Sequence, residues 1–241
     1  MAVQQVFERY EKKYLLTAEQ EKRFLEAVSG RMLMDKYGEH TICNIYFDTD
    51  TFDLIRHSIE HPLYKEKLRL RTYGVPESTE HMSFVEIKKK YNHVVYKRRV
   101  QMKLGEAEDY LYRGIRPQKE SQILKEIDWF LQFHKVSPKV CLTYVRRAFY
   151  EDGNPDFRMT IDRDITCRTD RLSLLNGVAG EPILSDGIFL LEIKIPGAMP
   201  LWMSHILTEL KIFPVSISKY GRYYQQTPEI NHGFIEKLKV N

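Results

Sequence analysis

Tyr64-Lys-Glu-Lys-Leu-Arg-Leu-Arg71 sets a basic residue at every second position: Lys65, Lys67, Arg69 and Arg71. An extended strand turns successive side chains to opposite faces, so these residues share one face while Leu68 and Leu70 take the other. Alone, the pattern also fits a solvated outer face over a leucine core. Other segments repeat it. In FVEIKKK (84–90), Glu86, Lys88 and Lys90 oppose Val85 and Ile87; Lys97 and Arg99 alternate in VYKRRV (95–100), and Glu192 and Lys194 in FLLEIKI (189–195). Arg9, Glu11 and Lys13 are likewise two apart near the start of the chain, Arg146 lies in TYVRRAFY (143–150), and Arg158 opens RMTIDRDI (158–165).

A sheet with one basic face across so many strands repels itself unless that face is widely hydrated or surrounds an anion. Closure into a barrel resolves the conflict. The apolar faces then pack beneath helices and the charged faces line a lumen, where phosphate oxygens offset the cost of enclosing cations. Arg offers a planar fork to phosphate and Lys a compact charge. Glu86 and Glu192 are the conspicuous carboxylates among these cations. Magnesium or manganese accepts one or two carboxylates when phosphate oxygens complete its shell, so both residues are candidate metal ligands. Ion pairing of Glu86 with Lys88, of Glu192 with Lys194 and of Glu11 with Lys13 is the simpler alternative.

The rest of the chain is consistent with one α+β domain over residues 1–241. Thr17-Ala-Glu-Gln20 has the form of a capping box, and Phe24, Leu25 and Val28 continue a helical stripe, which predicts a helix over 18–29. Period-two text between Thr41 and Val100, interrupted at 74–78 and 91–93, predicts three or four antiparallel strands. Ile123, Leu124, Ile127, Phe130 and Leu131 mark a second helix. A hairpin is expected from Cys141–Tyr150 and Phe157–Ile165 across Asp152-Gly-Asn-Pro155, then a strand at 188–195 and a helix opened by Pro200. No stretch approaches the ~18 apolar residues of a membrane helix, and nothing near the N-terminus has the pattern of a signal peptide, so a cytoplasmic protein is expected. Cys43, Cys141 and Cys167 are odd in number and lack CxxC spacing, which argues for buried free thiols over disulfides or zinc. The eight histidines, among them His57, His61, His93 and His205, show no metal-ligand spacing, and no Walker-type glycine loop occurs. Any nucleotide must therefore be held by side chains from several strands. The formal charge of +4 understates the local basic fields, which favour polyanions.

The chain resembles the vacuolar transporter chaperone (VTC) domain, a polyphosphate polymerase branch of the triphosphate tunnel metalloenzyme superfamily. RYEKKYLL, NIYFDTDTFDLI, YKEKLRLRTYG, FVEIKKK, VVYKRR, YVRRAFY, RMTIDRDI, LLEIKIPG and SISKYGRYY carry the resemblance in order and spacing over nearly the whole chain. It implies a closed antiparallel barrel, a tunnel of about eight strands with flanking helices. It also implies that Lys13, Arg69, Arg71, Lys88, Lys97, Arg146, Arg158 and Lys219 contact phosphate and that Glu192 binds metal. A further basic position of the family falls on Arg56, Lys65 or Lys67 without a unique match. Lys65, Lys67 and Lys194 are expected on the substrate side. Ser218 and Tyr220, beside Lys219, are candidate neutral donors, although SISKYGRYY also reads as a surface loop.

The implied reaction moves the terminal phosphoryl group of a nucleoside triphosphate, expected to be ATP, onto inorganic polyphosphate with help from Mn2+ or Mg2+. Positioning and charge stabilisation carry such chemistry, and the acceptor phosphate is itself the nucleophile. A hydrolase of the same superfamily is the first alternative. Such relatives open with ExExK, whereas Arg9 stands here at the first glutamate, which favours a phosphate-rich tunnel. A non-catalytic polyphosphate-binding module is the second. Nucleic acid is not expected, because interleaved stacking aromatics are sparse, although Tyr64, Tyr73, Tyr91 and Tyr96 lie among the basic strands. Fungal members carry a regulatory domain and membrane helices that are not expected in this sequence, so any export would need a membrane-protein partner.

Overall fold

The computed structural model describes residues 6–7, 10–92 and 94–231. Arg9 and His93 lie outside the described residues. The chain runs through β1 (Val6–Phe7), β2 (Tyr10–Thr17), α1 (Ala18–Val28), β3 (Met32–Asp48), α2 (Asp53–Ile59), β4 (Tyr64–Tyr73), β5 (Met82–Tyr91) and β6 (Val94–Lys103). It continues through α3 (Leu104–Arg113), α4 (Gln122–His134), β7 (Ser137–Glu151), β8 (Asn154–Arg168), β9 (Glu181–Pro182), β10 (Ile188–Ile195), α5 (Leu201–Glu209) and α6 (Lys219–Gln226). The strands form one mixed-length antiparallel sheet in the order β1-β6-β5-β4-β3-β7-β8-β10-β2, with β9 added to β8. The strands at the two ends of that order, β1 and β2, are consecutive in the chain.

Local chemistry accounts for the borders. The expected capping box forms: Thr17 Oγ1 accepts from Gln20 N at 3.2 Å and Gln20 Oε1 accepts from Thr17 N at 3.1 Å, fixing the start of α1. Pro200 precedes α5 as its cap. The β7–β8 hairpin turns at Asp152-Gly153, where Gly153 takes φ +77°, a value that suits glycine. β3 begins at Met32, well before the expected Thr41, with a register irregularity between Met34 and Glu39 on β7. α2, α3 and α6 were not anticipated; the first two are short amphipathic segments whose periodicity is hard to read.

Period-two alternation divides the sheet into two faces, as the sequence implies. Leu68, Leu70, Val85 and Ile87 pack with Leu104, Ala107 and Leu111 of α3 and with Leu124, Ile127 and Phe130 of α4. Tyr14, Leu16, Met159, Leu191 and Ile193 pack with Phe24 and Val28 of α1 and with Met203 and Leu207 of α5. A third cluster lies on the charged face itself. Ile42, Val140, Leu142, Tyr144 and Leu190 alternate in phase with the basic residues and pack against Tyr220, Tyr223 and Tyr224 of α6. On β8, an extra residue at Asp164 (φ +50°) shifts the phase, so Ile165 and Cys167 also join this cluster. The segment that also read as a surface loop is therefore a helix laid over one part of the charged face. All three cysteines are buried and free. Among the described residues no helix is long and apolar enough to cross a membrane.

Candidate functional site

The uncovered part of the charged face is organised around buried carboxylates. Glu86, 1 % exposed, sits on β5 directly between Arg69 and Arg99 in register. Arg69 donates from Nε to Glu86 Oε2 at 2.7 Å and approaches it through Nη2 at 2.6 Å. Lys97 Nζ and Arg99 Nη1 lie 2.7 and 4.0 Å from the other oxygen, and Arg71 Nε lies 3.9 Å from Oε2. Burial opposes the charge of Glu86, but Arg69, Arg71 and Lys97 outweigh it and hold the carboxyl far below its usual range. Arg71 is further fixed by Asn44 Oδ1 at 2.8 Å and Tyr144 Oη at 3.1 Å. Glu86 therefore stands as the counter-ion of a four-cation cluster, with Oε2 hydrogen-bonded by Arg69 and Oε1 at ion-pair distance from Lys97; this is ion pairing, with other partners than Lys88.

Asp162 of β8 organises the second cluster, and sequence reasoning missed it. It is fully buried; Arg146 grips both of its oxygens at 2.7 and 2.8 Å, and Lys219 Nζ donates to Oδ2 at 2.6 Å. Burial again opposes ionisation, yet Lys219 and Arg146 hold the carboxyl below its ordinary value. A signal was present in RMTIDRDI, where Asp162 follows Arg158 and Thr160 at alternate positions. Arg158 itself is exposed at the end of β8, its Nε donating to Pro155 O at 2.7 Å, opposite Lys194 in register.

Glu192 of β10 is the third centre. Its oxygens lie 3.8 Å from Lys13 Nζ and 3.6 Å from Lys194 Nζ, and the Glu11 carboxyl is within hydrogen-bonding reach. Burial opposes its charge, but the ammonium groups of Lys194, Lys13 and Lys219 keep it well below the usual carboxylate range. No ion pair joins Glu11 to Lys13 among the described residues; Glu11 meets Lys88 Nζ at 3.4 Å, although β2 and β5 are not paired in the sheet.

Between these centres lie lysines with few anionic partners. Lys67 reaches Ser218 Oγ at 3.4 Å and faces the Tyr220 ring at 6.0 Å. Burial, reinforced by Lys88, Lys65 and Lys13, brings its pKa down to about 7. Burial also dominates at Lys97, bringing it to about 7 despite Glu86. Lys65 donates to Ser58 O at 3.0 Å and Lys13 to Ile217 O at 3.0 Å. Ser218 caps α6 by accepting from Gly221 N at 3.3 Å, while Lys219 opens the helix toward Asp162. Tyr220 is not a free donor: its hydroxyl donates to Asp48 Oδ2 at 2.9 Å and helps fix α6 to the sheet.

The residues around Glu192 suit a hard divalent cation. Glu192 and Glu11 provide carboxylate oxygens, and Thr160, opposite Glu192 in register, has a buried Oγ1 with no hydrogen-bond partner among the described residues. No group of three or more His, Cys, Asp or Glu side chains gathers at a metal-binding spacing among the described residues, so phosphate oxygens would have to complete any shell.

Residues 8–227 match the family model of the VTC domain. The chain belongs to the VTC domain family. The VTC match spans every charged centre just described. Two solved structures share the fold at low identity. A candidate adenylate cyclase from Bacillus halodurans has TM-score 0.56 and 16 % identity, with 89 % of this chain and 96 % of that one covered. A Hippeastrum protein described as a candidate adenylyl cyclase with a dominant triphosphatase activity has TM-score 0.54 and 13 % identity, with 90 % of this chain and 95 % of that one covered. No curated protein sequence matches the chain.

Proposed function

We propose that this VTC domain is a polyphosphate polymerase that transfers the terminal phosphoryl group of a nucleoside triphosphate, ATP first among them, to a growing polyphosphate chain. The observation that carries the reading is the convergence of Lys13, Lys67, Arg69, Arg71, Lys88, Lys97, Arg146 and Lys194 on one sheet face, joined by Lys219 from α6, with far fewer carboxylates. A polyanion is the partner that compensates such a face. The tunnel form of the barrel belongs to this proposal. It is supported by β1 pairing with β6 and β2 with β10, because the two strands at opposite ends of the sheet order belong to one short stretch of chain.

In this reading Arg69, Arg71 and Lys97 hold donor phosphates, Arg146 and Lys219 hold the neighbouring ones, and Arg158, Lys65 and Lys194 guide the chain at the margins. Their fixed positions stabilise the charge that spreads over the transferring phosphoryl oxygens. Glu192 and Glu11 would hold Mn2+ or Mg2+, which when bound neutralises phosphate charge and polarises the transferring group. We assign Glu86 to organising cations instead of binding metal. Lys67, near neutrality in its pKa, accepts a proton as phosphate arrives and so strengthens the grip on a more highly charged chain.

Hydrolysis of triphosphate is the second reading, favoured by the triphosphatase activity ascribed to the Hippeastrum protein. The sparse carboxylate set here supports phosphate as acceptor over a metal-held water. Incubation with ATP and Mn2+, with and without a short polyphosphate primer, separates them on a gel. Long chains plus ADP are expected, and Glu192→Ala or Arg69→Ala should lower the rate by about 10²–10³-fold. Orthophosphate without chain growth would establish the hydrolase, and tripolyphosphate binding without turnover a binding module.

A further inference from the structure

A strip of aromatic side chains borders the Arg cluster at the end of the charged face away from α6. On β3 and β4 the α6 end is marked by Tyr46, stacked on Tyr220 at 5.1 Å, and by Lys67. At the other end of the same strands, and in the same alternating phase, stand His40 and Tyr73, with Phe84 beside them on β5. Tyr73 meets Phe84 edge-on at 5.5 Å and His40 at 6.1 Å, and His40 meets Tyr37 edge-on at 6.4 Å. Tyr37 and Tyr73 are 67 % and 40 % exposed, so ring area remains open to a ligand. The strip is joined to the phosphate-type cluster directly. Arg99 lies over Phe84 at 4.6 Å and donates to Tyr73 Oη at 3.5 Å, and Arg71 lies 5.9 Å from the Tyr73 ring.

We infer that Tyr73 and Tyr37, with His40 between them, form the subsite for the nucleobase of the donor, and that this subsite sets preference for a nucleotide over an inorganic triphosphate. The inference rests on the triphosphate reading above and adds the position of the base. Aromatic faces beside guanidinium groups are a stacking platform for any base and stabilise it by about 1–3 kcal/mol per stack. The spacing agrees with one extended nucleotide. From Tyr73 to Arg71 the strand advances about 7 Å and to Arg69 about 13 Å, so a base at the rim would set its first phosphate by Arg71 and Arg99 and its last by Arg69 and Lys97. The nucleotide then points its reacting phosphate inward and its base outward.

Calorimetric titration in EDTA, which prevents turnover, tests this with ATP, CTP and inorganic tripolyphosphate as probes. Tyr73→Ala and the more exposed Tyr37→Ala should weaken ATP binding by about 5–150-fold and leave tripolyphosphate affinity within a factor of about two, while Tyr73→Phe retains ATP binding. Equal loss for ATP and tripolyphosphate, or no loss for either in both alanine variants, would overturn the base subsite while leaving the triphosphate reading intact. Wild-type protein that binds none of the three probes would overturn both.

Discussion

Replacing Asp162 by Asn removes one charge and almost no volume, and it leaves Arg146 and Lys219 enclosed without their shared counter-ion. Breaking a buried ion pair in this one-sided way costs about 3–5 kcal/mol, because the remaining charge stays desolvated. In a chain of this length each kcal/mol moves Tm by about 2–4 °C, so Asp162→Asn should melt roughly 6–20 °C below wild type at neutral pH. The pH dependence has a definite sign. Arg146 and Lys219 hold the Asp162 pKa below its unfolded value of about 3.9, so its stabilisation is complete above that pH and is lost as pH falls through the folded value. Wild type and variant should therefore converge on acidification. A second readout separates charge compensation from packing. Tripolyphosphate supplies the missing anion, so it should raise the Tm of Asp162→Asn by more than that of wild type in the same thermal-melt series. A variant within about 2 °C of wild type, or an equal tripolyphosphate shift for both, would refute the reasoning that this carboxylate holds the two cations in place.

Glu86→Gln should lose stability at pH 7 for the same reason. Because the Glu86 carboxyl is held far below its unfolded value of about 4.3, the difference from wild type in urea midpoint should be complete above that pH and shrink steadily as pH falls below it. For Lys67, with a pKa lowered to about 7, a bound polyanion raises that value, so binding takes up a proton above neutrality; tripolyphosphate affinity should fall with rising pH by at most about tenfold per unit from this group. Lys67→Met should flatten that slope between pH 7 and 9 in titrations at constant ionic strength. Tyr220→Phe removes the hydroxyl that donates to buried Asp48 and should cost about 1–3 kcal/mol in urea unfolding.

Much of the charged face is legible in the sequence, because alternation along a strand is a property of the backbone. Lys65, Lys67, Arg69 and Arg71 had to share a face once YKEKLRLR was extended, and Leu68 and Leu70 had to share the other. The same rule put Glu192 in phase with Lys194 and Glu86 with Lys88. Capping chemistry fixed α1, since Thr17 and Gln20 satisfy each other's backbone donors within a single turn.

Partnership was a different matter. Whether Glu86 met one lysine or four cations depended on which strands flank β5, and whether Glu11 paired with Lys13 or Lys88 depended on long-range contacts. Asp162 was in phase with Arg158 in the text, yet its importance came from Lys219, which lies 57 residues farther along and arrives on α6. The sequence of SISKYGRYY left loop and site both open; the helix and its tyrosines were decided by the apolar patch of Ile42, Leu142, Tyr144 and Leu190 that they cover. Alternation determines which way a side chain points, because it is set by bonds between neighbours. Tertiary structure decides what it meets there, because register and packing are set by strands that the local sequence does not contain.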